Sequence, residues 1–205
     1  MSAYNFKYAF PVDINWNQQA LIDLFNENSS KMNLATMRLK TAEHSLLLSM
    51  QQENPWLGDY VDFFVTWPGV GYPIHVDITN PDRKVVLNLP LINYTGTLTN
   101  WYNIPDSAKW IQTDEASART TNHGVYTSTG KFLDYSTLPD GKAPAPVYSL
   151  ETLEPVVIET KIPHDVKRKG SMKRVIASWH LNFDSFKEAR DNLIDIGKVP
   201  ELSRI

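Results

Sequence analysis

Phe6, Tyr8 and Phe10 alternate with polar or small residues up to Pro11, and this period of two predicts an opening strand. A helix is expected next. Ala20, Leu21, Leu24 and Phe25 make an apolar stripe at helical spacing that ends in the polar run 26–30, and Asp13 or Asn15 is placed to accept hydrogen bonds from the first-turn amides. Alternation returns at Met32, Leu34, Thr36 and Arg38, and Thr41 is placed to cap a second helix running through Leu46, Leu47, Leu48 and Met50 to the stop at Asn54-Pro55. Residues 1–59 therefore read as a cover of helices and strands.

From Tyr60 the period is two throughout. Val61, Phe63, Val65 and Trp67 predict a strand, Pro68-Gly69-Val70-Gly71-Tyr72-Pro73 a turn, and Pro73-Ile74-His75-Val76-Asp77 the next strand. Thr79-Asn80-Pro81-Asp82-Arg83 is a turn by composition and Lys84 to Ile92 a further strand. Three strands in succession with no helix between them imply antiparallel pairing, because parallel neighbours need a long crossover. Gly96, Pro105, Gly124, Gly130, Pro139-Asp140-Gly141 and Pro144-Ala145-Pro146 then punctuate short extended pieces as far as Leu150. Val156 to Ile162 is a strand stopped by Pro163, Lys167 to Ser171 a turn, and Arg174 to Phe183 another strand. Asp184 or Ser185 opens a last helix with Phe186, Ala189, Leu193 and Ile194 on one side and Gly197 and Pro200 marking its end.

Two strands carry the clearest face pattern. Val85, Leu87 and Leu89 share one face while Val86 and Asn88 share the other; Val175, Ala177, Trp179 and Leu181 share one face while Arg174, Ile176, Ser178 and His180 share the other. The fully apolar faces should lie under the helices at 16–26, 41–51 and 185–196, with Trp179 buried there, and the semi-polar faces should line a cavity. The expected architecture is a mainly β-sandwich or jelly roll with helices packed on the outside of one sheet. It reads as one domain over 1–205, with a 60–183 core and a C-terminal helix and tail at 184–205.

Composition narrows the function classes. The chain has 205 residues, 42% hydrophobic and 21% charged, within the ordinary globular range. A formal net charge of −3 gives no field to draw nucleic acid, and the basic run Lys167-Arg168-Lys169 reads as a solvated turn or a local contact for an acidic ligand. No apolar run is long enough to span a membrane, and the first residues, Met1 to Lys7, lack the basic-then-apolar order of a signal peptide, so a cytoplasmic protein is expected. There is no cysteine, which leaves histidine and carboxylates as the strong metal ligands.

His75 and Asp77 leave the same side of their strand. An imidazole nitrogen and a carboxylate oxygen held together suit a divalent first-row metal, and a second histidine completes the facial triad used by non-haem Fe(II) oxygenases. His164, in Ile162-Pro163-His164, is the candidate. His44 and His123 have no ligand-like neighbours, His180 reads as a hydrogen-bonding group on the inner face, and Asp165 should point away from any metal at His164.

The order His75-x-Asp77, His164, and Arg174 ten residues on across a turn resembles the signature of the Fe(II)/2-oxoglutarate-dependent dioxygenase superfamily. The likeness covers roughly residues 60 to 183 and is nearest to short phage and marine bacterial members, in which the His-x-Asp strand leads to runs like Leu87-Asn88-Leu89-Pro90-Leu91 and Thr97-Leu98-Thr99-Asn100-Trp101-Tyr102. The resemblance implies a double-stranded β-helix (cupin-like), with Fe(II) held by His75, Asp77 and His164, and 2-oxoglutarate as cosubstrate. Arg174 would grip the far carboxylate of 2-oxoglutarate in a planar fork that lysine cannot make. It further implies an oxygenase of hydroxylase type that uses O2 on a small-molecule or side-chain substrate. Many members have Ser or Thr two residues after the arginine; that position here is Ile176, and Ser178 is the nearest hydroxyl on the same face. Asn88 is either a cosubstrate contact or a satisfied core amide, and Trp101, Tyr94, Trp67 and Tyr72 either line a substrate mouth or belong to the core. The first third matches no pattern of the superfamily. Two other readings share the same strands: a cupin-like metal-binding protein that does not use 2-oxoglutarate, and a non-catalytic β-sandwich interaction module.

Overall fold

Fourteen strands run through the described residues of the computed structural model, which are 4–32, 35–68, 72–77, 85–113, 119–121, 124–126, 130–138 and 141–200. Twelve of them form two six-stranded antiparallel sheets. In spatial order, the first contains β1 (Ala9–Pro11), β12 (Val156–Ile158), β5 (Val86–Ile92), β14 (Arg174–Leu181), β3 (Leu57–Thr66) and β2 (Thr36–Lys40). The second contains β11 (Tyr148–Glu151), β6 (Thr97–Trp101), β13 (His164–Arg168), β4 (Tyr72–Val76), β10 (Gly130–Leu133) and β7 (Trp110–Thr113). A separate ribbon pairs β8 (Arg119–Thr121) with β9 (Gly124–Tyr126).

This is a jelly roll of the cupin-like kind, mainly β. The antiparallel sense matches the expectation, but the partners do not: β3, β4 and β5 do not pair with one another. β3 and β5 flank β14 in the first sheet while β4 crosses to the second. A meander of the three would leave β14, buried on both faces, without neighbours on either side; alternating between sheets supplies both.

The helices α1 (Gln18–Asn28), α2 (Ser45–Glu53) and α3 (Phe186–Asp195) carry the apolar stripes that cover the first sheet. Phe63, Leu87, Leu89, Val175, Ala177 and Trp179 form one core with Leu21, Phe25, Leu47, Met50, Phe186 and Leu193 from those helices. Trp179 is completely buried, and its indole N–H donates to the Gly58 carbonyl at 2.9 Å. Gly58 permits the close pass of the end of β14: a Cβ there would lie 2.9 Å from the His180 carbonyl oxygen. The expected division of faces on β5 and β14 is therefore present, with Arg174, Ile176 and Asn88 on the inner side.

Several boundaries differ from the sequence reading. Residues 6–8 form a turn, in which the Tyr8 and Ala9 amides both donate to the Asn5 carbonyl, so the first strand begins at Ala9. Asn17 caps α1 by accepting from the Ala20 amide at 3.0 Å; neither Asp13 nor Asn15 does, because the helix begins only at Gln18 and both residues lie in the extended stretch before it. Thr41 opens only a short 3-10 turn and donates its hydroxyl to the Gly58 carbonyl, so α2 starts at Ser45 without a side-chain cap. Ser185 caps α3 as expected, accepting from Glu188 at 3.1 Å. The strand expected over 156–162 stops at Ile158. The Thr160 carbonyl then accepts from the Asp77 amide of the other sheet at 3.0 Å, which draws the chain out of its own sheet. Lys167 and Arg168 belong to β13 rather than to a turn. The turn at 79–83, much of that at 68–73, Leu34 and His123 fall outside the described residues. Among the described residues, no helix is long and apolar enough to cross a membrane.

Removing the indole that joins β14 to the helices should cost much of the fold's stability. Trp179→Ala is expected to lower the free energy of unfolding by about 3–5 kcal/mol, the range for deleting a buried aromatic side chain. Urea unfolding followed by far-UV circular dichroism measures it; a loss below 1 kcal/mol would mean that the helix-covered face is not the main core.

Candidate metal centre

His75 and His164 are directly opposite one another on the neighbouring strands β4 and β13. Opposed residues in an antiparallel pair bring their Cβ atoms within about 5 Å, and here the two imidazole centroids are 4.3 Å apart. The β4–β13 register shifts between His164 and Val166, and such a bulge re-aims a side chain without ending the pairing. Asp77 follows β4 by one residue and is held there through the bond from its amide to the Thr160 carbonyl. Its Oδ1 lies 3.7 Å from His75 Nε2, and one ligand atom from each of the three residues falls within 4.8 Å of the other two. All three side chains are buried.

Local hydrogen bonds fix which nitrogen each imidazole presents. His75 Nδ1 is 2.7 Å from the Pro73 carbonyl oxygen and His164 Nδ1 is 2.9 Å from that of Ile162. A carbonyl only accepts, so both Nδ1 atoms carry the proton and both Nε2 lone pairs face the shared space. This is the orientation in which an outer hydrogen bond supports a metal-binding imidazole. Two imidazole nitrogens and one carboxylate oxygen form a donor set suited to a first-row divalent ion. Phe132 stacks on His75 at a centroid distance of 5.6 Å, shielding that side from water.

The three residues lie in the wall of a cavity between the sheets, which Phe64, Asn88, Ile158, Arg174 and Ile176 line from the first sheet and Tyr72, Thr99 and Val166 from the second. Arg174, only 2% exposed, is its most unusual member. Burial, with the nearby Arg168 charge acting in the same direction and Tyr72 opposing it, pushes its guanidinium down to about 10, so it remains a cation at neutral pH. Its Nε has no hydrogen-bond partner, and among the described residues no carboxylate pairs with it. Asn88 Oδ1 and Thr160 Oγ1, in the same lining, are also buried without partners. Buried polar atoms in folded proteins are nearly always satisfied, so three in one cavity indicate that the space is shaped for a polar occupant.

The cavity brings together His75, Asp77, His164, Arg174, Asn88 and Tyr72, and leaves out four other candidates. Ser178 is buried on the same face of β14 but beyond Ile176, at the level of Asp62 on β3, and is not part of the lining. Trp101 is wholly buried in a second core with Tyr8, Tyr148 and Ile158, and its indole N–H donates to the Glu159 carbonyl at 2.9 Å, so it is packing rather than mouth. Tyr94 sits half-exposed in the turn after β5, and Trp67 is 44% exposed just past β3. Thr99, Thr160 and Phe132 were not expected in the site. Thr99 had a legible signal, an inner-face position two residues from Trp101, but Thr160 did not, because it follows the break in its strand.

Two other expectations hold. His180 Nε2 bonds Asp62 Oδ2 at 2.9 Å, and Arg38 grips the same carboxylate at 2.7 and 3.0 Å, which makes His180 an inner-face hydrogen bonder. Asp165 turns away from His164 and accepts from Asn100 Nδ2 and from the Tyr102 hydroxyl, both at 2.7 Å. Burial and that bond raise the Tyr102 hydroxyl far above its ordinary range, which keeps it a donor to Asp165.

No protein-family model matches the sequence, and no curated protein matches it. Among solved structures, a Pseudomonas putida prolyl-4-hydroxylase aligns over 80% of this chain and 79% of its own at 15% identity, with a TM-score of 0.42. E. coli ycfD aligns over 78% of this chain and 37% of its own, also at 15% identity, with a TM-score of 0.33. Likeness at that level assigns no activity to this chain.

An unpaired buried cation opposes folding in the absence of a ligand. Arg174→Met is therefore expected to stabilise the ligand-free protein by about 1–4 kcal/mol, the range found when buried charges give way to apolar side chains of similar volume. Thermal and urea unfolding of the two proteins decide it; a destabilised variant would mean that the guanidinium is compensated in the folded state.

Proposed function

We propose that this protein is an Fe(II)- and 2-oxoglutarate-dependent oxygenase of hydroxylase type, acting through one folded domain on a small-molecule or side-chain substrate. The observation that carries this reading is the pairing, in one buried cavity, of a His75–Asp77–His164 donor set with the unpartnered guanidinium of Arg174 on the opposite sheet. A ligand with a chelating end and a distant carboxylate answers both demands. In such a protein the bound iron and cosubstrate supply the oxidising chemistry, coupling decarboxylation of 2-oxoglutarate to oxidation of a C–H bond by O2.

The chain's own residues supply position and exclusion. His75 and His164 offer Nε2 because their Nδ1 protons are committed to backbone carbonyls, and Asp77 adds the charge that offsets part of a divalent ion. Arg174 offers a planar fork to a carboxylate, and the Thr160 hydroxyl is free to donate to another oxygen of the ligand. Phe64, Ile158, Val166 and Ile176 make the remaining wall apolar, and Phe132 stacks on His75, which strengthens each of these contacts by keeping water out. A cupin-like protein that binds metal without 2-oxoglutarate would leave the buried, unpaired Arg174 without a purpose, and a non-catalytic sandwich would leave the convergent histidines so as well.

Anaerobic titration with Fe(II) and then 2-oxoglutarate, following the weak visible charge-transfer band of the chelate, separates the three readings. Alanine at His75, Asp77 or His164 should abolish iron binding with the fold retained, as read by isothermal titration and circular dichroism. Stoichiometric iron of unchanged affinity in His75→Ala would sink the donor set. Arg174→Ala should keep the iron while weakening 2-oxoglutarate by about 2–5 kcal/mol. Equal cosubstrate affinity in Arg174→Ala and the parent protein would remove the arginine from the site.

A further inference from the structure

A second guanidinium, that of the half-buried Arg168, lies near Arg174. Arg168 closes β13 on the same face as Val166, which lines the cavity, and lies in register opposite Thr97 of β6, two residues from the cavity-lining Thr99. Its Nη1 donates to the Asn93 carbonyl at 2.6 Å and to Thr97 Oγ1 at 3.0 Å, and its Nε is buried without a partner. Among the described residues no carboxylate pairs with it. The contacts that hold Arg168 are to neutral oxygens, so they fix the group without neutralising it.

The tether reaches Arg174. Asn93 adopts a positive φ of 47° in the turn after β5, and its side chain donates at 3.0 Å to the carbonyl of Lys173, the residue before Arg174. On the other side, Gly170 packs on the Arg168 guanidinium, where a Cβ would come within 2.7 Å of Nη2. One cation from each sheet thus stands near the end of the cavity away from the histidines, and Arg168 is held there by the Asn93 carbonyl and the Thr97 hydroxyl.

We infer that Arg168 is a specificity-determining residue of this cavity: it acts through its field on the ligand held by Arg174, and selects a 2-oxo acid with a distal carboxylate over one that ends in a methyl group. This rests on the cosubstrate reading above and adds to it the residue that sets the preference. A fixed second cation favours any anion placed at Arg174 and does nothing for an uncharged chain end, whereas a purely structural brace would affect both ligands alike.

The test is anaerobic isothermal titration of the Fe(II)-loaded protein with 2-oxoglutarate and with 2-oxobutyrate, which share the chelating end and differ in the far carboxylate. Arg168→Gln should weaken 2-oxoglutarate roughly tenfold, the order expected for one unit charge at second-neighbour distance inside a protein, and leave 2-oxobutyrate within about twofold. Arg168→Lys should restore most of the loss. Gly170→Ala, which crowds the guanidinium and keeps its charge, should shift the preference in the same direction by a few-fold and serves if Arg168→Gln does not fold. Equal losses for both ligands, or an Arg168→Lys protein as weak as Arg168→Gln, would overturn the assignment and leave Arg168 as a brace. A parent protein that binds Fe(II) but neither 2-oxo acid would overturn the cosubstrate reading itself, and this inference with it.

Discussion

The register of β14 between β3 and β5 is the constraint on which the rest depends. Every residue of this strand is buried, yet its two faces have opposite character: Val175, Ala177, Trp179 and Leu181 meet the helices, and Arg174, Ile176, Ser178 and His180 face inward. A slip of one residue would drive a guanidinium and an imidazole into the helix-covered core and expel a tryptophan from it. Several hydrophobic contacts and two unpaired or ion-paired polar groups would be lost together. Register here is therefore set with a large energetic margin, even though the pairing shifts between Val175 and Ile176 on one side and between Trp179 and Leu181 on the other.

The second sheet is aligned by more local means. β13 bears His164 on its inner face and Asp165 on its outer face, and each is tied down separately, His164 by the Ile162 carbonyl and Asp165 by Asn100 and Tyr102. A strand whose two faces are both hydrogen-bonded cannot rotate about its own axis without breaking one set or the other. His75 needs no such anchor across the sheet, because the carbonyl two residues earlier holds its ring and the opposite strand supplies its neighbour. The geometry of the donor set thus follows from strand pairing and from two local contacts, each to the carbonyl two residues earlier, and not from a long network.

Periodicity carried most of this into the sequence. Strict alternation in 85–89 and 174–181 is enough to divide core from cavity, since period two leaves only two choices of face and a fully apolar face must be covered. The i, i+2 spacing of His75 and Asp77 likewise places them in one space, and the order of His164 and Arg174 after them links the two sheets. Strand partners were not legible, because alternation says which way a side chain points and nothing about which strand lies alongside; hence β3, β4 and β5 looked like a meander. One helix cap failed because the helix begins later than its apolar stripe suggests, at Gln18 rather than near Asn15, and another because the Gly58 carbonyl takes the Thr41 hydroxyl. The aromatic residues were the least legible, since Trp101, Trp67 and Tyr72 combine apolar area with a polar atom and suit core, surface and cavity equally well. Only the surroundings separate them.

A buried cation without a partner has to be supported by the rest of the fold, and its placement shows how. Removing an ion from water costs several kcal/mol even after relaxation, while full burial of one large apolar side chain contributes about 1.5–3 kcal/mol. Two or three such side chains therefore offset one guanidinium, and β14 provides Val175, Ala177, Trp179 and Leu181 on the reverse of the very strand that carries Arg174, with the stripes of three helices against them. The sheet that bears the cation is the one with the larger hydrophobic core; the sheet that bears the histidines has a smaller cluster around Ile74, Tyr102, Leu133 and Leu138 on its outer side. A charge kept ready for an anion thus sits where the fold is best able to hold it, and the donor set, whose imidazoles are each already hydrogen-bonded to a nearby carbonyl, sits where little extra support is needed.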